Sequence, residues 1–317
     1  MKCSSCHSEN TKKIGFFRRK RNHRKIQRYL CKDCKTSFSN QTFSITYQQK
    51  RPDLNTQILS YISTGTGIRR TAKETHTSKK TVQRKIKFLA KVCDKFHQEN
   101  MSKWTRKGKP QFVFDEMETI ESTRTNTIHI PTVVEKESYF IVGIDALYAS
   151  SRSHYPNKKK DYNELHKEEI SNKNLYTKKV LGSCRKMKPQ GRIVVYSDEK
   201  PGYAKMVKEV FGDLGVHLTF NAAEEDEKNK LFPVNNTMAC LRAENAMLRR
   251  ATWYVCKDKN MLSNHLKIYT FHHNYVREKG YTVGYTKSGC RKPEEKTPAQ
   301  HLGICDKVIE PKTLVGF

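Results

Sequence analysis

The sequence predicts a multi-domain α+β chain in which two small N-terminal modules precede a larger α/β domain. Three observations carry this. Two C-x2-C pairs lie within the first 34 residues, helix-spaced apolar residues fill 52–102, and strand-like runs alternate with helical ones from 111 onward. A length of 317 residues allows one to three domains and a substantial core. The boundaries read as 1–45, 52–102, a basic Gly/Pro-broken linker at 103–110, and 111–317.

The apolar share is low at 36%, but recurring strand and helix patterns argue against wholesale disorder. The net charge of +29 is uneven: residues 1–110 hold 28 Lys+Arg against 6 Asp+Glu. A polyanion should therefore meet the N-terminal third first. A membrane is the weaker choice of polyanion. No run approaches the roughly 18 apolar residues of a spanning helix, no lipidation signal is visible, and Met1-Lys-Cys-Ser-Ser-Cys6 lacks the apolar stretch of a secretory signal. The chain reads as intracellular with mostly reduced cysteines, and nucleic acid is the expected partner.

In the first module, Cys3-Ser-Ser-Cys6 and Cys31-Lys-Asp-Cys34 are separated by 24 residues. Each C-x2-C turn presents two thiolates to one ion, and two turns complete the tetrahedral shell of structural zinc. Between them run Lys12-Lys13, Arg18-Arg19-Lys20-Arg21 and Arg24-Lys25, interleaved with Phe16, Phe17, Ile26, Tyr29 and Leu30. This is a basic hairpin strung between two knuckles, a zinc ribbon, with Phe38 placed to pack beneath the metal. Cys3-Ser-Ser-Cys6-His7 also fits a haem-attachment pattern, but that chemistry calls for an exported chain. The cysteines at 93, 184, 240, 256, 290 and 305 are scattered singly and read as core or surface positions.

In the second module, Leu54, Ile58 and Ile62 recur at helical spacing until Gly65-Thr-Gly67 interrupts them. Ile68 and Ala72 mark a short helix. Thr77 can cap the next, whose Val82, Ile86 and Leu89 form an inward stripe. Its outward face carries Lys79, Lys80, Gln83, Arg84 and Lys87. A short helix, a tight turn and a basic helix match a helix-turn-helix that reads double-stranded DNA through the major groove.

In the third module, strands are expected at 111–115, 127–130 and 139–144, then a polar segment at about 150–172 and a helix at 173–187. A strand ending at Asp198, a helix around 202–212, a strand at 216–220 and a helix from about 235 to 252 follow. Three strands, helix, strand, helix, strand, helix is the order of a ribonuclease-H-like fold. In that order Asp115, closing the run Gln111-Phe-Val-Phe, and Asp198, closing Ile193-Val-Val-Tyr-Ser, lie side by side. Paired carboxylates at strand tips suit phosphoryl transfer. Two oxygen-liking divalent ions, magnesium or manganese, can activate the attacking oxygen and stabilise the leaving one.

The segment Leu231-Phe-Pro-Val-Asn-Asn-Thr-Met-Ala-Cys-Leu-Arg-Ala-Glu-Asn-Ala-Met-Leu-Arg-Arg-Ala-Thr-Trp253 resembles bacterial insertion-sequence transposases of the insertion-element-one type and close relatives. The cysteine knuckles, Phe114-Asp-Glu-Met117, Tyr196-Ser-Asp198, His265-Leu-Lys-Ile-Tyr269, Asn274-Tyr275 and Thr297-Pro-Ala299 extend the resemblance, in order, over nearly the whole chain. The resemblance implies a DDE-type transposase that binds terminal inverted repeats, cleaves and joins DNA strands, and works as a dimer or higher multimer. It implies a cytoplasmic, nucleoid-associated location. It makes Asp115 and Asp198 the first two catalytic carboxylates and aligns Asn235 with the third, 36 residues intervening after Asp198.

Asn would offer a neutral carbonyl ligand where an acid is usual. Arg242, seven residues later on the same helix face, could hold a phosphate or terminal base. Glu244 is the alternative third residue. Nine positions separate it from Asn235, about 900° at roughly 3.6 residues per turn, so the two point to opposite faces. The acidic run Glu224-Glu225-Asp226-Glu227 is a further candidate that reads better as a solvated loop. Glu116 alternates away from Asp115 and reads as structural. His272-His273 read as helix surface, and Trp253 and Tyr254 as closing the core. The competing reading is a non-catalytic DNA-binding regulator derived from such an element, keeping residues 1–110 as its working part.

Overall fold

The structure, a computed structural model, describes residues 1–18, 25–104, 110–221, 229–248, 255–285 and 291–315. Several residues singled out above lie outside these: Arg19 to Arg24, most of the 103–110 linker, the 224–227 acidic run, Trp253, Tyr254 and Cys290. The chain forms two compact units, residues 1–55 with 315–317, and residues 56–314.

In the first unit, Thr11–Arg18 (β1) and Lys25–Cys31 (β2) pair antiparallel, and Ser37–Ser39 (β3) pairs with the other edge of β2. The register slips between Lys13 and Phe16, where Gly15 adopts φ +97°, a left-handed conformation that glycine adopts without a Cβ penalty. Both cysteine turns end alike, with His7 at φ 60° and Lys35 at φ 57°.

Three helices follow, Leu54–Ser63 (α1), Ile68–Glu74 (α2) and Lys79–Met101 (α3), all in the second unit but for the first two residues of α1. Residues 75–78 form the turn between α2 and α3, with His76 at φ 47°. The cap of α3 is Ser78, not Thr77: its side chain accepts from the Thr81 backbone N–H at 3.2 Å. Such a cap contributes about 1 kcal/mol. Val82, Ile86 and Leu89 are fully buried, as their spacing predicts. The C-terminal half of α3 packs on the helix Lys259–Tyr275 (α9), where Phe96 meets Phe271 and Tyr275 edge-on at 5.6 and 5.1 Å.

A mixed sheet follows. Its strands are Gln111–Ile120 (β4), Thr127–Glu135 (β5), Ile141–Ile144 (β6), Leu147–Tyr148 (β7), Ile193–Ser197 (β8) and Gly215–Thr219 (β9). The order is β6-β5-β4-β8-β9, with β7 on β5. β4, β5 and β6 form an antiparallel meander, whereas β8 runs parallel to β4 and β9 parallel to β8.

The polar segment expected at 150–172 is largely helical, as Pro156–Leu165 (α4) and Lys167–Ser171 (α5). The helix expected at 173–187 is α-helical only over Lys173–Leu181 (α6) and continues as a 3₁₀ turn to Met187. Tyr203–Phe211 (α7) leads to β9. Phe232–Glu244 (α8) starts earlier than expected and stops at Asn245, which leaves the helical region with φ −119° and ψ 112°. The chain closes with α9, the hairpin Lys279–Tyr285 (β10) and Arg291–Lys296 (β11), which the sequence pattern did not reveal, then Pro298–His301 (α10) and Pro311–Val315 (α11).

Helices cover both faces of the sheet. On one face Val113 and Met117 of β4 share a core with Val234, Met238 and Leu241 of α8 and with Leu262, Leu266 and Tyr269 of α9. On the other, Phe114 packs edge-on against Tyr203 of α7 at 4.9 Å. Each fully buried large apolar side chain contributes roughly 1.5–3 kcal/mol. Asn274 of α9 closes the β6 edge: its side chain accepts from the Ile141 N–H at 2.9 Å and donates to the Ile141 carbonyl at 2.8 Å. An amide thus supplies what a neighbouring strand would.

Candidate functional site

The four N-terminal cysteines form the best-defined cluster. Their Sγ atoms all lie within 4.8 Å of one another, with Cys3 to Cys34 at 3.5 Å and Cys6 to Cys31 at 3.6 Å. A tetrahedral ion with zinc–sulfur bonds of about 2.3 Å puts its sulfurs about 3.8 Å apart, so the cradle fits zinc. Disulfide sulfurs would be about 2.05 Å apart. Phe38 is buried against Cys3 and Cys31 and stacks on Tyr29 at 5.6 Å, the aromatic floor expected from its position. Thr36, through hydroxyl and backbone, draws the Cys34 thiol down to about 6. At Cys6 the Ser8 backbone works downward, but the neighbouring thiols, Cys34 first, carry it up to about 12. One ionised thiolate discourages the next until a cation relieves the repulsion.

The exposed side of α3 carries Lys79, Lys80, Gln83, Arg84 and Lys87, all solvent-facing. Gly65, in the turn before α2, lies against the end of α8. Its φ is +80°, and a Cβ there would fall 2.7 Å from the Glu244 carbonyl oxygen.

In the sheet, Val113 of β4 is aligned with Tyr196 of β8, and two residues further along these parallel neighbours stand Asp115 and Asp198. Burial raises the pKa of Asp115, and the nearby charge of Asp198 raises it further, while the Glu116 backbone N–H, donating to Oδ1 at 2.7 Å, opposes both. Asp198 Oδ1 accepts from the Lys200 N–H at 3.3 Å. Asp115 alternates with Val113 and Met117, so it belongs to the face covered by α8.

Asn235 is half-buried in the first turn of α8, next to Val234, which packs in that same core. With 100° per residue, Asn235 and Arg242 flank one side of the buried Val234–Met238–Leu241 stripe and Glu244 the other. Glu244 forms an ion pair with Arg277 at 2.9 Å. Among the described residues, the four cysteines are the one group of three or more His, Cys, Asp or Glu side chains gathered as metal ligands. Asp115 and Asp198 therefore have no third carboxylate beside them there.

Glu116 faces away from Asp115, into an ion-pair network. Its carboxylate contacts Lys200 closely, Lys173 at 3.6 Å and His129 at 3.6 Å. Against the burial that would raise it, hydrogen bonds from His129 and Lys200 hold its pKa well below the carboxylate range. His273, expected at the helix surface, is buried instead, with Nε2 2.9 Å from the Tyr139 carbonyl. Of the scattered cysteines, Cys93, Cys184 and Cys256 are buried and Cys240 and Cys305 intermediate.

No family profile matches the chain. One relative does. Over 95 residues the chain is 33% identical to an uncharacterized protein in the transposable element ISH50 of Halobacterium salinarum. The match covers 29% of this chain and 30% of that protein, so the chain spans about a third of the relative it matches. No helix among the described residues is long and apolar enough to cross a membrane.

Proposed function

We propose that the protein is a DNA transposase of the DDE superfamily, with Asn235 in the place of the third acid. The observation that carries this is that Asp115 and Asp198 each stand two residues beyond the aligned pair Val113–Tyr196 of two parallel strands, on the sheet face packed by the helix that bears Asn235. The strand order, three antiparallel then two parallel, is the one expected of a ribonuclease-H-like domain. Similarity to a transposable-element protein favours the same class.

In this reading the cysteine cluster holds structural zinc, the exposed face of α3 grips duplex DNA at the element ends, and Arg242, on the Asn235 side of α8, contacts a phosphate or base. Asp115, Asp198 and the Asn235 carbonyl would together offer the oxygen ligands that magnesium or manganese takes. Burial first, and the charge of Asp198 after it, raise the pKa of Asp115, and a bound cation would offset both. Such a cation, when bound, supplies charge neutralisation for in-line displacement at phosphorus. The chain's own part is to orient the scissile phosphate between strand tips and α8, first for water and then for the freed 3′-hydroxyl. Two copies or more would act on paired ends.

The test is to incubate the protein with DNA flanking its gene, with and without magnesium or manganese. Metal-dependent nicks that fall at least a hundredfold in Asp198→Ala are expected. Nicking that is absent, or that survives Asp198→Ala, would sink the catalytic reading. If Glu244→Ala abolishes nicking and Asn235→Ala does not, the third residue is Glu244. One observation favours the second reading, a non-catalytic DNA-binding regulator: the lack of a third carboxylate beside Asp115 and Asp198 among the described residues.

A further inference from the structure

A cleft of about 230 Å³ opens between α6 and the start of α7, on the sheet face opposite Asp115. Lys173, Lys178, Lys200 and Lys205 line it, countered by Glu116 and Glu209. Lys200 follows Asp198 by two residues, so the cleft adjoins the tip of β8. Gly202, φ 95°, precedes helix α7, and no side chain caps the first N–H groups of the helix. Those donors and the helix dipole favour an anion.

Tyr203 supplies an independent sign. It lines the cleft and is only 3% exposed, and its buried hydroxyl makes no hydrogen bond of good geometry, although the Glu116 carboxylate is close enough to act on it. A buried hydroxyl left unpaired costs about 1–3 kcal/mol unless something accepts from it or donates to it. The lysines are held by contacts that can be exchanged. Lys178 contacts Glu209, Lys205 reaches the same carboxylate at 4.0 Å, and Lys205 is 83% exposed.

We propose that this cleft binds the phosphodiester backbone of a DNA strand passing the end of β8, with Lys178 and Lys205 exchanging Glu209 for phosphate oxygens and the Tyr203 hydroxyl donating to the same group. The proposal rests on the DNA-processing reading above and adds to it a second contact strip, separate from α3. Ligands of open α/β sheets meet the carboxyl ends of the strands, and this cleft is at such an end.

Binding of a fluorescently labelled mixed-sequence duplex, titrated against salt without divalent metal, tests it. Each lost phosphate contact lowers the slope of log affinity against log salt by about 0.9. Lys178→Ala/Lys205→Ala should lower the slope by about one to two and weaken binding on the order of tenfold at moderate salt. Glu209→Gln, which removes the competitor, should tighten binding severalfold. An unchanged slope in the double variant, no tightening in Glu209→Gln, or an equal loss in the control Lys307→Ala/Lys312→Ala on another exposed segment would each overturn the proposal. Because no metal is present, the outcomes separate: a fallen slope without nicking leaves the cleft standing and the chemistry refuted, and nicking with an unchanged slope does the reverse.

Discussion

His97, His265 and His273 are fully enclosed, and burial depresses their pKa values to about 4, 4 and 3. The unfolded chain takes up protons at each near pH 6.5, well before the folded chain does. Stability is therefore full above about pH 6.5 and falls as the pH drops toward about 4, by up to roughly 1.4 kcal/mol per pH unit for each histidine. Urea midpoints measured from pH 7 to pH 4.5 should decline steeply. His265→Leu should flatten the decline, because Nε2 of His265 is buried without a partner and an apolar side chain loses nothing there. An unaltered slope in that variant would show that His265 is not buried neutral. The sequence gives no hint of this: His272-His273 reads as helix surface, but α9 keeps only a narrow exposed edge, because the sheet and α3 pack around it.

At the scale of elements, the turn after α1 is fitted to α8. Gly65 combines a left-handed φ with a carbonyl 2.7 Å from where a Cβ would be. Gly65→Ala should cost about 1–3 kcal/mol, lowering the thermal midpoint by several degrees. A variant as stable as the parent would mean that α8 yields freely at this point. The contact also gives α3 and α8 a shared support: α3 packs on α9 through Phe96, and α8 and α9 share one core. The basic helix α3 and the helix bearing Asn235 are parts of one packed unit. Apolar spacing revealed α1 to α3 because their stripes are regular. It missed the end of α8 at Asn245, since Ala246 to Leu248 continue an apolar pattern while the backbone has already left the helix.

For the whole molecule, the division into two compact units makes metal removal a local event. Chelation, or Cys3→Ser/Cys34→Ser, should release one zinc per chain and open residues 1–55 to protease. A resistant fragment beginning near residue 56 should remain, visible by mass spectrometry. Absence of zinc in the purified protein, or equal protection after chelation, would refute the site. A small three-stranded sheet with few buried apolar side chains cannot supply its own core, so a metal held by the four cysteines would carry its stability.

By itself the sequence determined the cysteine cradle, the buried stripes of the helices and the two aspartates at the ends of apolar runs. These are local: spacing in the chain fixes which side chains share a turn or a face. Only the tertiary structure decided that Asp115 and Asp198 come together without a third carboxylate among the described residues, and that Glu116 faces a lysine network. It also decided that Glu244 is taken by Arg277 and that a basic cleft lies behind β8. Each of these depends on pairing residues dozens of positions apart across a sheet, and no local pattern encodes what the opposite face will meet.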